Sequence, residues 1–229
     1  MTATCLPQES LRFLADLEKH NNRAWFDANR GRCEQQLIAP VRGMVARICD
    51  EISTTFPRIV GSPAPSGGSI TRLHRDVRFS TDKKPFHSHI GMHFWHEDGR
   101  KMEVPGFFLR VDPKEILLGT GLRQPDPAVV QRLRMAIDRD RTAWRAASCD
   151  KSFVRIWGGL DGESLKRVPA PWSADDPLAD DFRRKDFTAF VRLPAAAVTK
   201  PGFSTVAVRS WNASKPLMSF LCTAMGLRG

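Results

Sequence analysis

Residues 69–86 read S-I-T-R-L-H-R-D-V-R-F-S-T-D-K-K-P-F, and the chain changes its hydrophobic periodicity at this stretch. Before it, apolar residues recur at helical spacing; after it, they alternate with polar residues as in strands. Within it, five cations and two carboxylates are interleaved with Leu73, Val77 and Phe79. A solvated charge run would lack these apolar positions, and a core strand would not carry so many charges. The stretch is therefore predicted to be the extended entry to a sheet, and to carry a charged site.

In an extended segment, side chains two residues apart share a face. The even-numbered residues from 72 to 78 then place two arginines, a histidine and an aspartate side by side. Such a face is either a buried ion network or a site for an anion.

Four cations of this stretch are candidate anion-binding groups, because guanidinium forks match planar oxygen pairs and an ammonium adds charge. They are Arg72, Arg75, Arg78 and Lys83. Asp76 and Asp82 would orient the arginines or act as acid/base groups. In the alternative, purely structural interpretation, the two carboxylates neutralise the arginines, and disrupting one side of a truly buried network costs about 3–5 kcal/mol. No Ser-His-Asp spacing or nucleophile elbow accompanies the cluster, so covalent catalysis has no support, and the sequence leaves open whether the protein is an enzyme.

Histidines follow the charged stretch, and three of them share strand parity: His87, His89 and His93. Two imidazoles at positions i and i+2 of a strand can reach one divalent metal ion, and a nearby carboxylate can add an oxygen ligand. The alternative is a polar strand face that uses histidine without binding anything. A metal site at these three residues is thus a second hypothesis, and no other cofactor is expected.

The bulk properties predict one domain over residues 1–229, since this length suffices for a single substantial core. No window reaches the roughly 18 apolar residues of a membrane span, so no membrane partner is expected. The N-terminal residues lack the basic flank and apolar run of a signal peptide. The five cysteines are scattered and never form C-x-x-C pairs, which favours a reducing cytoplasm over a disulfide framework.

The formal net charge of +10 at pH 7 favours an anionic partner. A small anionic ligand bearing phosphate or carboxylate is the first hypothesis. The alternative is a non-enzymatic basic module that contacts nucleic acid or an acidic protein. Nucleic acid ranks lower, because the arginines that follow Asp126 point in several directions and Asp138 and Asp140 divide them. The oligomeric state is left open.

The order of elements predicts an α+β fold. Helical periodicity covers residues 7–19 and continues from about residue 23 to 52, with Pro40 producing a kink or opening a second helix. Strands are expected at 90–94, at 107–111 and 115–118 (a hairpin with its turn at 112–114), and at 187–193, with a short strand or extended segment at 165–169. Asp126-Pro127 is expected to start a helix that runs to about residue 147, and Asp176-Pro177 a short helix through Arg184. The architecture is therefore an N-terminal helical hairpin, a central mainly antiparallel sheet, and further helices including the C-terminal one.

The chain resembles one known family in a set of short motifs. They are N-N-R-A-W-F at 21–26, R-L-H-R-D-V-R-F-S-T-D-K-K-P-F at 72–86, G-F-F-L at 106–109, L-K-R-V-P at 165–169, D-P-L at 176–178 and K-P-L-M-S-F-L at 215–221. In this order they resemble the domain of unknown function 2461 (DUF2461) family. The resemblance implies a single α+β domain of bacterial and fungal type, with no established activity, cofactor or catalytic residue. Members often carry tyrosine where this chain has Cys33, Phe86 and Phe108, so a mechanism that needs a phenol there is in doubt.

Overall fold

Five strands form one antiparallel sheet in the computed structural model, which describes residues 4–228 of the chain. The strands lie in the sheet in their sequence order, so each is paired with the strand that precedes it along the chain. This arrangement confirms the predicted α+β class and the antiparallel sheet. The strands are β1 (Ile59–Val60), β2 (Ile90–His96), β3 (Gly106–Val111), β4 (Glu115–Leu122) and β5 (Phe187–Pro194).

Helices precede the sheet, interrupt it between β4 and β5, and end the chain. Among the described residues, each helix is too short or too polar to cross a bilayer. Their bounds in chain order are α1 (Gln8–Lys19), α2 (Arg23–Ala28), α3 (Arg30–Cys33), α4 (Ala39–Ile52), α5 (Pro127–Arg139), α6 (Arg141–Ser148), α7 (Lys151–Trp157), α8 (Ala179–Arg183), α9 (Phe203–Asn212) and α10 (Lys215–Met225).

The N-terminal helical hairpin forms as the sequence predicts. Asn22 is the N-cap of α2, and its side-chain oxygen accepts a hydrogen bond from the Trp25 amide at 2.9 Å. The Trp25 ring lies 5.7 Å from the Phe13 ring of α1, so an aromatic contact joins the two helices.

Pro40 opens the second half of the hairpin, again as predicted. A π-helical turn, Glu34–Ile38, precedes α4, and Pro40 lies in the first turn of α4. Because proline has no N–H, the carbonyl of Gln36 cannot receive the usual helical hydrogen bond from position 40. The buried hydroxyl of Ser10 in α1 donates to that carbonyl instead. A side chain of the first helix therefore completes the hydrogen bonding of the second.

The described chain divides into two compact units. Unit 1 contains the chain through Phe94, Phe108–Leu118 and Arg192–Arg209; unit 2 contains Trp95–Phe107, Gly119–Val191 and the chain from Ser210. In unit 2 the fully buried Trp211 stacks on Phe107, with 5.2 Å between ring centroids, and donates from Nε1 to the carbonyl of Gly119. The single-domain expectation for residues 1–229 stays a prediction.

The expectation of an extended entry strand at residues 72–78 is wrong. The segment 69–86 lies outside the named strands and is paired only at isolated bridges, Ile70 with Met92 and His74 with Phe86. Aspartate side chains divert the backbone from a ladder: Asp76 Oδ1 accepts from the Arg78 amide at 3.2 Å, and Asp82 Oδ1 accepts from the Lys84 amide at 3.1 Å. Such local bonds are the reason that aspartate favours turns over strands.

Two other predicted elements differ from the structure. Residues 165–169 form no strand, and the neighbouring chain is paired only at isolated bridges, Ser164 with Arg184 and Asp161 with Thr188. The short helix expected from Asp176 begins later, at Ala179, because the carboxylate of Asp176 caps the preceding turn by accepting from the Leu178 amide at 2.8 Å.

Candidate functional site

Residues 73–87 form a closed loop whose two ends are hydrogen-bonded to each other. The Arg75 amide donates to the carbonyl of Pro85 at 2.9 Å, and the His87 amide donates to the carbonyl of Leu73 at 2.7 Å. The charged residues between them project from this closed base toward solvent. The loop therefore presents charge at its tip while its base is fixed by the main chain.

The base of the loop is held against the N-terminal hairpin. Asn21 donates from Nδ2 to the Phe86 carbonyl at 2.9 Å and accepts from the Phe86 amide at 3.0 Å, so one side chain binds both polar groups of one residue. The Phe86 ring stacks on Phe26 at 4.1 Å between centroids and meets the His74 ring at 4.8 Å. Phe26, His74 and Phe86 are referred to below as the aromatic cluster.

A cleft of about 280 Å³ lies beside this base, within unit 1. It is called the polar cleft here, because most of its lining groups are charged or hydrogen-bonding. The lining includes Arg75, Lys84, His87, Ser88 and His89, together with the carboxylates of Glu18 and Asp82.

The carboxylates of the polar cleft already have cationic partners. Arg75 donates from Nη1 to Asp82 Oδ2 at 2.8 Å and to the Lys84 carbonyl at 3.2 Å. Glu18 accepts from Lys114 Nζ at 3.1 Å. Within residues 4–228 the Lys84 ammonium forms no ion pair with any group. The surplus charge of the cleft is therefore positive, and Lys84 carries it.

The two histidines of the cleft lie next to each other, with 4.9 Å between ring centroids. Burial lowers the pKa of His89 to about 4, and the neighbouring His87 and Arg110 act in the same direction. Burial also lowers the pKa of His87, assisted by the charge of Arg75. Both imidazoles are consequently neutral near neutral pH, and each offers one donor and one acceptor nitrogen.

The structure does not gather the four predicted cations into one place. Arg75 lines the polar cleft with Asp82, whereas Arg72 lines a different cleft. Arg78 forms a bidentate pair with Asp76, and their side chains are 77% and 59% exposed. The Arg78 guanidinium holds the pKa of the Asp76 carboxyl below its usual range. Lys83 donates from Nζ to the carbonyl of Val77 at 3.1 Å, a hydrogen bond within the loop.

The predicted metal-binding histidines are likewise divided. His87 and His89 precede β2 and share the polar cleft, but the His93 ring lies on Phe108, with 4.5 Å between centroids. Across residues 4–228, no three His, Cys, Asp or Glu side chains are grouped so that they could hold a metal ion. A divalent metal at His87, His89 and His93 stays a prediction.

Some residues of the cleft were not singled out by the sequence. Lys84 was counted in the charge run, but nothing in its position distinguishes it from Lys83. No sequence motif predicts that three other residues line the cleft, because only the tertiary fold brings them there: Glu18, Asn21 and Ser88. The two asparagines at the hairpin turn give a partial signal for this contact. Asn22 caps α2, so the Asn21 side chain is available to bind the loop.

Comparisons with known proteins identify the family. A sequence model of the family described as "Conserved hypothetical protein (DUF2461)" matches residues 9–220 of the 229. No curated protein and no solved structure matches the chain. The family match covers the N-terminal hairpin, the charged loop, the sheet and most of α10. The chain therefore belongs to the DUF2461 family.

Proposed function

We propose that the protein binds a small anion bearing phosphate or carboxylate in the polar cleft. One observation carries this proposal: the unpaired ammonium of Lys84 and the guanidinium of Arg75 line a cleft together with the Ser88 side chain and two neutral imidazoles. Cations supply charge to an anion, while the hydroxyl and the imidazoles supply neutral hydrogen-bond donors. The carboxylates of Glu18 and Asp82 oppose the anion only weakly, because each is already paired.

The size of the cleft limits the ligand. Its volume of about 280 Å³ is slightly below the range of about 300–1,000 Å³ that is typical of pockets for drug-sized ligands. Inorganic phosphate, a short phosphate ester or a small organic acid fits this space. The proposal is one of binding, and the variants below test binding.

The decisive experiment compares two neighbouring lysines. Lys84→Ala removes a cation that lines the cleft, and Lys83→Ala removes an equal charge from a residue that is bonded to the loop carbonyl of Val77. Calorimetric titration with inorganic phosphate should show about a tenfold loss of affinity for Lys84→Ala and less than about a twofold loss for Lys83→Ala. Equal losses would mean that only net charge matters, and would overturn the assignment of the cleft.

Arg75→Lys serves as a second variant, since Arg75→Ala would also remove hydrogen bonds to Asp82 and to the Lys84 carbonyl. Lysine keeps the charge but loses the guanidinium fork. Phosphate binding should weaken while the protein remains folded, as judged by an unchanged urea unfolding slope. Unaltered phosphate affinity in both Arg75→Lys and Lys84→Ala would contradict the proposal.

A second candidate function is favoured by Phe79, at the tip of the charged loop. Its side chain is 95% exposed, and the Arg78 guanidinium carbon lies 5.8 Å from its ring centroid. An exposed aromatic ring beside a cation is the platform on which single-stranded nucleic acids stack their bases. The pairing of Arg78 with Asp76 and of Lys83 with the Val77 carbonyl reduces the charge available there, so this function ranks second.

A titration with a single-stranded oligonucleotide tests this second function. Binding through phosphates should weaken steeply between about 50 and 200 mM salt. Phe79→Ala should weaken it about tenfold, as expected for the loss of one base–aromatic stack. The control is Met135→Ala, because Met135 is an exposed apolar residue of unit 2. Equal binding by the two variants would remove Phe79 from any nucleic-acid interface.

We also place the protein in a reducing cytoplasm. In support, all five cysteines are free thiols. Burial raises the pKa of Cys33, Cys49 and Cys222 to about 11, so these thiols remain protonated. Titration of the denatured, freshly isolated protein with a thiol reagent should therefore count five thiols, and a lower count would indicate disulfides.

A further inference from the structure

A second cleft of about 250 Å³ lies in unit 1, between the N-terminal hairpin and the segment that enters the charged loop. Phe26 and His74 line this second cleft, whereas Phe86 lines the polar cleft. Because these three rings contact one another, the aromatic cluster contributes to the walls of both cavities. The second cleft is called the Arg72 cleft below.

The walls of the Arg72 cleft are largely apolar. Phe26 and Leu73 are buried, and Ile38 and Ile70 complete the apolar surface. Cys33 also lines the cleft, and burial raises the pKa of its thiol to about 11, so it presents a neutral side chain and no thiolate. Such walls favour a ligand with an apolar body, which gains from leaving water.

The charged groups of this cleft differ from those of the polar cleft. Arg42 donates from Nη1 to Glu34 at 2.6 Å, so its charge is already balanced. Across residues 4–228 the Arg72 guanidinium forms no hydrogen bond or ion pair. The Thr71 hydroxyl oxygen accepts from the Gly91 amide at 2.8 Å, which leaves its proton available to a ligand. The Arg72 guanidinium and the Thr71 hydroxyl therefore belong to a lining that is mostly apolar, with Arg42 and His74 as its other polar residues.

We infer that the Arg72 cleft binds a small amphipathic carboxylate, either aromatic or branched aliphatic, through the Arg72 guanidinium and the Thr71 hydroxyl. The planar carboxylate matches the guanidinium fork and carries the single charge that Arg72 can balance. A phosphate dianion fits less well, because Arg42 is already paired with Glu34, so its second charge would find no further unpaired cation, and its additional oxygens would lie against largely apolar walls. The apolar body of the ligand packs against Phe26, Ile38 and Leu73.

This inference is independent of the anion proposed for the polar cleft. The two clefts differ in lining, and their free cations, Arg72 and Lys84, belong to different walls. One pair of variants, Arg72→Ala and Lys84→Ala, therefore separates the two sites, since each removes one positive charge. Neither side chain forms a hydrogen bond or ion pair within residues 4–228, and the Lys84 side chain acts on Asp82 only through its charge, so both variants are expected to fold.

The test is calorimetric titration of the full chain with phenylacetate, isovalerate, acetate and inorganic phosphate. Phenylacetate or isovalerate should bind the unmodified protein, and acetate, which lacks an apolar body, should bind at least about tenfold more weakly. Arg72→Ala should lower the affinity for the amphipathic carboxylate about tenfold and leave the phosphate response unchanged. Lys84→Ala should leave the affinity for phenylacetate and isovalerate unchanged, because their apolar bodies are matched by the Arg72 cleft and not by the polar cleft.

Three results would overturn the inference. The first is absence of binding by both phenylacetate and isovalerate at concentrations on the order of 10 mM. The second is an equal affinity for acetate, since the apolar walls would then contribute nothing. The third is an equal loss in Arg72→Ala and Lys84→Ala, which would reduce the effect to net charge. Loss of phosphate binding alone, with carboxylate binding intact in Lys84→Ala, would support the Arg72 cleft.

Discussion

Arg75 and Arg134 both donate to main-chain carbonyls, but they do so in opposite surroundings. Arg75 belongs to a run of charges, is 21% exposed and shares its guanidinium between Asp82 and a loop carbonyl. Arg134 lies in α5, is 7% exposed, and donates to the carbonyls of Phe182 and Arg184 at 2.6 and 2.9 Å. Those carbonyls end α8, where the last carbonyls lack helical partners.

The comparison of Arg75 with Arg134 shows that a dense run of charged residues in the sequence need not contribute most to the stability of the fold. Burial, with its cost for an unpaired polar group, decides how much an arginine contributes to stability. Burial also lowers the pKa of Arg134, which shows that its charge is held at a cost. We therefore expect the charged loop to matter for ligands and Arg134 to matter for folding.

The largest effect is expected from Arg134→Met, which keeps the size of the side chain and removes its donors. Two carbonyls at the end of α8 would be left without these hydrogen bonds, and the free energy of unfolding should fall by about 2–4 kcal/mol. Urea denaturation measures this change. Arg139→Met, at an exposed position of the same helix, should stay within about 0.5 kcal/mol. An equal loss of unfolding free energy in Arg134→Met and Arg139→Met would show that burial does not set the contribution of Arg134.

The next largest effect is expected at the base of the loop, with Asn21→Ala. The variant loses both hydrogen bonds to the main chain of Phe86, and the free energy of unfolding should fall by about 2 kcal/mol. Asn29→Ala, which loses one local bond to the Trp25 carbonyl, should lose about 0.5–1 kcal/mol in the same assay. A smaller loss in Asn21→Ala than in Asn29→Ala would show that the base is not anchored by Asn21.

His89 should make stability depend on pH. Its pKa is about 4 in the folded protein, against an ordinary value of 6.5, so the unfolded chain binds more protons between these values. Stability is then complete above about pH 6.5 and falls by about 1–2 kcal/mol as the pH drops toward 4. Chemical denaturation of the protein and of His89→Gln across this range measures the difference. An unchanged pH dependence in His89→Gln would exclude a buried, neutral His89.

The smallest effect is expected from breaking the exposed pair at the loop tip. Asp76→Asn and Arg78→Gln should each leave the urea midpoint unchanged within error, because both side chains are solvated and the pair is screened by salt. Measurements at low and high salt check this. A loss comparable to that of Arg134→Met would revive the interpretation of residues 72–84 as a structural ion network.

Much of the fold could be predicted from periodicity alone. The helices on both sides of Asn21 and Asn22, the strands after residue 90 and the helix that starts at Pro127 all form where hydrophobic spacing and caps place them. The charged loop could not be predicted, because Asp76 and Asp82 bind nearby amides and so compete with strand pairing. Strand periodicity does not register that competition.

The candidate site was predictable only in part. Arg75, Asp82, His87 and His89 were chosen from the sequence and share one cleft, but Arg72, Arg78, Lys83 and His93 lie elsewhere. The prediction of a strand put the side chains of Arg72 and Arg78 on the same face. Because the chain turns back on itself so that His74 pairs with Phe86, the segment between them is a loop and the alternation of faces does not apply. Asn21 reaches Phe86 across 65 residues of sequence, and Lys84 enters the cleft only through the folded loop, so no local pattern encodes either residue's role.

The bond from Ser10 to the Gln36 carbonyl has a consequence for how this chain can change over generations. Pro40 removes the natural donor for that carbonyl, and Ser10 replaces it. A substitution that restores an N–H at position 40 would release Ser10 from this duty, whereas losing Ser10 first would leave a carbonyl without its donor. The order of substitutions at the two positions therefore matters. Replacing Ser10 is less destabilising after Pro40 has been replaced than before.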